Sequence, residues 1–313
     1  MEKICVTGGA GFIGSNLVDR LIEKGFEAVI IDNLSTGKEE NINKKVEFYK
    51  LDLRYDKEEI KKKLDGVKTI FHLAANPDVK SSSINPKAQF DNNVVATYNI
   101  LEIAKELGIK EFLFTSTSTV YGIAKQIPTP EDYSPMLPIS IYGASKLACE
   151  AMIIGYSYTY GIKSWIFRLA NIIGRRATHG VLIDFIKKLR KNPNELEILG
   201  NGKQCKSYLY IDDCIDAMLL AWKKANEQVN IFNIGNEDKI EVNEIAKIVC
   251  KELGLNPRFK YSSDEARGWI GDVPLMLLDI TRIKKLGFKV RYNCKEAVEK
   301  AVRDILQESA KLF

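Results

Sequence analysis

The sequence predicts an α/β protein: a doubly wound parallel sheet with a smaller mixed α/β lobe. Three observations carry that prediction. A short apolar run, Ile4-Cys5-Val6, leads into Thr7-Gly8-Gly9-Ala10-Gly11-Phe12-Ile13-Gly14, and apolar residues at helical spacing follow. Apolar strands then alternate with helical stretches as far as Leu169, the pattern of right-handed crossovers into one parallel sheet. The candidate functional residues fall at the carboxyl ends of those strands, where open parallel sheets bind ligands.

Ile13, Leu17, Val18, Leu21 and Ile22 form the stripe of the first helix, which Gly25 closes. The glycines therefore lie on a strand-to-helix turn. Gly8 permits the tight turn, Gly11 lets a pyrophosphate approach the backbone, and Gly14 lets helix and strand pack closely. The helix N-terminus offers free N–H groups and partial positive charge. A ligand-free glycine turn is the plain alternative, and strand, glycines and helix in series weigh against it. Residues 28–31 form a second strand ending at Asp32. An acid about 20 positions past the glycines suits a ribose 2′-hydroxyl and repels a 2′-phosphate, so the expected cofactor is NAD rather than NADP. Asn33-Leu34-Ser35-Thr36-Gly37 is turn chemistry that Asp32 can also cap.

Residues 46–51 read as a third strand before Asp52-Leu53, and 57–64 as a short charged helix. A fourth strand, 69–75, opens into small residues that suit close approach of a cofactor. His72 on it reads as a satisfied core histidine, since no second His or Cys is near. A helix is expected over 90–107 with Val94, Tyr98, Leu101 and Ala104 on one face. A fifth strand, 111–115, runs into Ser116 to Gly122; a proline-rich loop, a helix over 142–160 and a sixth strand over 164–169 follow. Beyond Asn171 the pattern loosens. Helices are expected over 180–189, 211–224, 242–253, 281–286 and 295–309, and strands near 196–199, 207–210 and 230–234. We read 1–170 with about 211–236 as the cofactor-binding part, and about 171–210 with 237–313 as the smaller lobe.

Of 313 residues, 45% are hydrophobic and 28% charged, an ordinary globular profile. The net charge of +5 is spread among interleaved acids and bases, so no nucleic-acid partner is expected. Six scattered cysteines lack metal or redox spacing and read as small apolar residues in a reducing cytoplasm. A first strand at Lys3 or Ile4 leaves no room for a signal peptide, and no apolar run could span a bilayer. The expectation is a cytoplasmic protein without membrane partners.

Tyr142-Gly143-Ala144-Ser145-Lys146 sets a tyrosine and a lysine one turn apart at the start of a helix. Lowering a phenol from its usual value of about 10 by about three units takes roughly 4 kcal/mol. A cation at ~5 Å in an effective dielectric of ~20 supplies about 3 kcal/mol. Lys146 and an oxidised nicotinamide ring are two such cations, so Tyr142 can serve as a base. Thr117 can share a proton with it and with a substrate hydroxyl. Alone, the pair reads as an aromatic and a solvated lysine; its place downstream of the glycine motif and Thr117 gives it weight.

Together these residues resemble the extended short-chain dehydrogenase/reductase family and, within it, the nucleotide-sugar epimerases. The likeness covers nearly the whole chain. Its pieces are Thr7 to Gly14, Asp32-Asn33-Leu34, Asp52-Leu53, His72 to Ala75, Asn92-Asn93-Val94, Ser116 to Gly122, Tyr142 to Lys146, Arg168 to Asn171, Tyr208 to Asp213, Phe232 to Gly235 and Gly271-Asp272. The resemblance implies a Rossmann sheet, bound NAD and C4 epimerisation of a nucleotide sugar, UDP-galactose or UDP-glucose, through a 4-keto intermediate. It places Phe12 and Ile13 at the pyrophosphate, Asp32 and the Asn33, Leu34, Ser35, Thr36, Gly37 turn at the ribose, and Asp52 and Leu53 at the adenine. Leu73, Ala74, Ala75, Asn93, Thr115 and Ala170 join the cofactor site with Tyr142 and Lys146. Thr117, Tyr142, Asn171, Lys206, Arg267 and Asp272 fall to the substrate.

Three residues depart from the family's pattern: Pro77 for a lysine, and Lys206 and Trp269 for arginines. Arg267 stands two residues before Trp269 as a substitute. The resemblance also implies a homodimer built on helices 90–107 and 142–160. The competing readings are a nucleotide-sugar 4,6-dehydratase or decarboxylase, and a non-catalytic dinucleotide-binding regulator. Ser118 and Thr119 stand where dehydratases keep acids, and the intact Thr117, Tyr142 and Lys146 set argues against a regulator.

Overall fold

The glycine-flanked first strand lies deep in a seven-stranded parallel sheet. A computed structural model describes residues 2–310. The sheet strands are β1 (Lys3–Thr7), β2 (Glu27–Asp32), β3 (Glu47–Lys50), β4 (Thr69–His72), β5 (Glu111–Thr117), β6 (Lys163–Leu169) and β7 (Val229–Ile234). Their spatial order is β7-β6-β5-β4-β1-β2-β3. The chain winds outward from β1 to β3, then returns to lay β4 on the other side of β1. That reversal opens a crevice at the carboxyl ends of β1 and β4. The register sets Thr7 beside both Ile31 and His72.

Both faces of the sheet are covered, so its strands are nearly continuous Val, Ile and Phe. Ile4, Val6, Ile30 and Phe71 pack with Leu17 and Leu21 of the helix Phe12–Glu23 on one face. Cys5, Val29, Ile31 and Ile70 pack with Ile100, Leu101 and Ile153 on the other. Alternate residues of one strand serve opposite layers.

The helices Ile211–Lys224 and Val242–Leu253 have the expected bounds. The fourth strand is shorter than expected: it stops at His72 because Ala74 N–H donates to the Thr7 hydroxyl (3.3 Å) instead of a neighbouring backbone. The helix expected over 90–107 starts earlier. Asn85 caps Ala88 N–H (3.1 Å) with Pro86 in the first turn. Pro86–Gln89 then runs through a π-helical turn, Phe90–Val95, into Ala96–Glu106. The wide turn breaks the 3.6-residue count between Val94 and Tyr98. Ile100, Leu101, Ile103 and Ala104 are buried, whereas Tyr98 is 47% exposed.

The rest is held by short pairings. Asn171–Ile173 lies beside Tyr208–Tyr210, and Glu195–Ile198 beside Arg258–Tyr261. Cys205–Lys206 runs between Ile240–Glu241 and Leu275–Met276. All six cysteines are free. Among the described residues no helix is long and apolar enough to cross a membrane, and no three His, Cys, Asp or Glu could hold a metal.

Candidate active site

The glycine turn is shaped by contact as well as by conformation. Gly8 has φ +71°, and a Cβ there would lie 2.6 Å from Ala74 N. A Cβ on Gly14 would lie 2.1 Å from the Gly8 carbonyl oxygen, so no other residue lets helix and strand pack this closely. Gly11 is the N-cap of the following helix and supplies no side-chain bond. The first-turn N–H groups at Phe12 and Ile13 are left for an anion.

Asp32 closes β2 and is buried. Its carboxylate accepts from Ala10 N–H (3.0 Å) and Leu34 N–H (2.8 Å). Burial raises its pKa, and those two donors draw it back. Leu34 has φ 58°, sparsely populated for a leucine, and the Asp32 bond holds it there. The acid thus fills the turn role read from the sequence, and it also faces a cleft shared with Asn33, Ser35, Thr36, Asp52, Leu53, Ala74 and Ala75. Gly37 packs against Asp32 Oδ1 and Ala10. Asn33 Nδ2 donates to Asp52 (2.9 Å). Arg54 grips the same carboxylate through Nε (2.9 Å) and a terminal nitrogen (2.7 Å), which lowers the Asp52 pKa to about 2.

Arg54 and Asn92 line this cleft; Asn92 belongs to a piece of the resemblance, and Arg54 was not singled out in the sequence. An arginine two residues past the strand-end acid is the signal that could have found the first. Asn93, expected at the cofactor, sits inside the protein in this structure. It is 1% exposed, accepts from Asn76 N–H (2.7 Å), and donates to Gln89 (2.9 Å) and Ser145 (2.9 Å). The π-helical turn points it into the protein, where it braces the cleft from behind.

The helix Ile141–Tyr160 begins at Ser140, whose hydroxyl accepts from Gly143 N–H (3.0 Å). Tyr142 and Lys146 follow one turn apart. Ser145 donates to the Tyr142 carbonyl (2.7 Å) and accepts from Asn93, so that first turn is tied to the π-helical turn. Thr117, the last residue of β5, accepts from Thr119 N–H (3.2 Å) and the Thr119 hydroxyl (3.2 Å). Burial pushes the Tyr142 phenol up to about 12, and a hydrogen bond from Thr117 opposes that. Lys146 is buried with its Nζ 4.0 Å from the centre of the Phe114 ring. Burial lowers it to about 8, and Cys149 and Glu150 oppose the shift. The protein's own groups therefore leave Tyr142 protonated at neutral pH, and Lys146 alone does not supply the expected lowering. Thr115 and Ala170, near the ends of β5 and β6, are buried.

Behind this cluster Glu150 accepts from Ser116 and from Arg168 through two nitrogens (3.1 and 2.8 Å). Arg168 also donates to Tyr121 (2.9 Å) and to the Glu131 carbonyl (2.8 Å).

Asn171 donates to the Ser207 carbonyl (3.2 Å). Lys206 Nζ lies 2.5 Å from Asp272 Oδ1, and Asp272 Oδ2 accepts from Gly268 N–H (3.0 Å). Lys206 Nζ also stands 5.5 Å from the centre of the Trp269 ring. The cation that meets Asp272 is Lys206; Arg267 lies exposed on the same loop with its backbone against Gly200. Gly271 abuts Ile139 and Ser140, so the loop touches the segment that starts the Tyr142 helix.

The sheet order, the glycine cradle and the Thr117, Tyr142, Lys146 cluster define a dinucleotide-dependent enzyme of the extended short-chain dehydrogenase/reductase class. The chain belongs to the NAD dependent epimerase/dehydratase family, whose sequence profile matches residues 4–235. It is 38% identical over 304 residues to a Methanocaldococcus jannaschii protein with the provisional name UDP-glucose 4-epimerase, covering 96% of this chain and 97% of the other. It is 31% identical to UDP-glucuronic acid decarboxylase 4 of Arabidopsis thaliana, covering 97% of this chain and 69% of the other. A crystal structure of a UDP-galactose 4-epimerase superposes with a TM-score of 0.89 at 44% identity, covering 98% of this chain and 99% of that one.

Proposed function

We propose that this protein is an NAD-dependent nucleotide-sugar 4-epimerase that interconverts UDP-galactose and UDP-glucose. The observation that carries the reading is the Thr117, Tyr142, Lys146 cluster at the sheet's cleft, followed by Ser118 and Thr119 rather than acids. The cofactor's fit rests on the Gly8 and Gly14 cradle and on Asp32, a buried carboxylate facing the cleft. Phe12 and Ile13 hold the pyrophosphate, Asp32 the ribose, and Asp52 and Leu53 the adenine. When bound, NAD supplies the hydride acceptor and donor, and its charged ring the second cation beside Tyr142.

Tyr142 takes the C4 hydroxyl proton, Thr117 hydrogen-bonds that hydroxyl, and Lys146 stabilises the phenolate. Asn171 and Lys206 take the diphosphate, with Arg267 and Asp272 completing the substrate side. Once C4 is a ketone, elimination needs a group to move the C5 proton. Ser118 and Thr119 are too weakly acidic for that, so reduction at C4 remains.

The cofactor part comprises residues 1–170 with about 211–236, and the substrate part about 171–210 with 237–313. The protein works in the cytoplasm as a homodimer. Exposed Phe90 and Tyr98 on one helix, and Tyr158 and Tyr160 on the other, supply the apolar face.

Incubation with UDP-galactose, followed by NMR, should yield UDP-glucose, and UDP-glucuronic acid should not lose its carboxylate. A 4-keto-6-deoxy sugar or a decarboxylated pentose as main product would overturn the reading. The same preparation should sediment at twice the 35.3 kDa chain mass.

A further inference from the structure

The chain leaves β5 at Thr117, paired opposite Leu169, and turns at once through the short 3-10 helix Ser118–Tyr121. Thr119 stands inside that turn, pressed against the start of the Tyr142 helix. A Cβ on Gly143 would lie 2.8 Å from the Thr119 carbonyl oxygen, which also accepts from Gly122 N–H (3.2 Å). No side chain separates the two turns, so the Thr119 backbone is fixed relative to both Thr117 and Tyr142. From there Thr119 presents two donors to one oxygen. Its N–H and its hydroxyl each lie 3.2 Å from Thr117 Oγ1.

A hydroxyl has two acceptor lobes and one hydrogen. Thr119 N–H can only donate, and it fills one lobe of Thr117. Among the described residues the Thr119 hydroxyl makes no other hydrogen bond, so its hydrogen goes to the second lobe. The hydrogen of Thr117 is left with one direction, and Tyr142 is the partner it meets. Without the Thr119 hydroxyl, one lobe would stand open and the Thr117 rotor could turn its hydrogen away. A donor that itself receives hydrogen bonds is polarised and gives a stronger one. A hydrogen bond given to a phenolate favours the charged form. We infer that Thr119 is a positioning residue whose hydroxyl locks Thr117 as a one-way donor toward Tyr142. This rests on the reading that Tyr142 is the base. Thr119 acts through Thr117 and not on the sugar, so its contribution belongs to ionisation rather than to binding.

Thr119→Val keeps the shape and the N–H and removes the hydroxyl, while Thr119→Ser keeps the hydroxyl. In the full-length, NAD-loaded protein, the ultraviolet absorbance of tyrosinate reads ionisation, and subtracting the Tyr142→Phe titration cancels the chain's other tyrosines. Thr119→Val should raise the Tyr142 pKa by about half a unit, a threefold change in ionisation and part of the worth of one hydrogen bond. With UDP-galactose, kcat should fall about threefold at neutral pH with KM unchanged, and regain the wild-type plateau at alkaline pH. Thr119→Ser should match the wild type in both measurements. Thr119→Ala should repeat the pKa shift, so a folding defect in the valine variant does not hide the result. An unmoved pKa or a loss of kcat that persists at alkaline pH would overturn the inference. So would a raised KM with kcat unchanged, which would make Thr119 a substrate contact. The titration needs no turnover: a protein whose Tyr142 shifts as stated yet forms no UDP-glucose would refute the function and leave the role of Thr119 standing.

Discussion

Asp32 and Asp272 are both buried acids, and each fixes a loop. Asp32 does it from the end of a strand held on both sides in a seven-stranded sheet, with two backbone N–H donors. Asp272 does it from a loop, through one lysine and one backbone N–H. The first is positioned by sheet register before any side chain acts. The second is positioned by an ion pair whose cation, on the proposed function, an arriving phosphate can also claim. On the proposed function, the cofactor side is thus preformed by backbone, while the substrate side is assembled from side-chain contacts.

The largest test strikes where the two sides meet. Tyr142→Phe removes only the titrating hydroxyl, so NAD binding and melting temperature should hold while turnover falls about 10²- to 10⁴-fold. Activity within a few fold of wild type would mean another group is the base. In the wild type, kcat/KM should rise with pH as Tyr142 ionises, at a pH well below the 12 that the protein alone imposes. A smaller effect belongs to the preformed side. Asp32→Ala should weaken NAD about ten- to a hundredfold, the worth of hydrogen bonds to a charged group, and narrow its advantage over NADP. Titration with both cofactors reads this, and an unchanged ratio would show that the preference is set elsewhere.

The smallest effect concerns His72. It lies between Thr7 (Nδ1, 2.7 Å) and Thr97 (Nε2, 2.9 Å), and the Thr97 hydroxyl donates onward to the Asn93 carbonyl (2.6 Å). Thr97 can therefore only accept from the ring, so the proton sits on Nε2 and Thr7 donates to Nδ1. Burial lowers His72 to about 3. Between pH 3 and 6.5 the unfolded chain binds the extra proton, so stability should fall as pH drops through that window. With two histidines in the chain, NMR can follow each ring. A His72 ring titrating near 6.5 would contradict its placement.

The same contrast explains what could be read from the sequence. Strand and helix periods, the glycine turn and the acids ending β2 and at Asp52 are local patterns, and they fall where expected. The Asn171–Ile173 and Arg258–Tyr261 strands were missed because strands of three or four residues carry little period of their own. The π-helical turn that buries Asn93 leaves no mark in a 3.6-residue count. The pairing of Lys206 with Asp272 joins residues 66 positions apart, which no local pattern contains.

The strand β7 reaches the sheet only after the chain has left β6 and built the Tyr208–Tyr210 pairing and the helix Ile211–Lys224. Until then β6 is an open edge of Ser164-Trp165-Ile166-Phe167, with backbone groups ready to pair with any strand. Some 60 residues separate the end of β6 from the start of β7. On a ribosome adding ~5–20 residues per second, that edge waits about 3–12 s for its own partner. During synthesis it is the place where a nascent chain would most readily capture a neighbour, and a fragment ending near residue 170 would carry that hazard permanently.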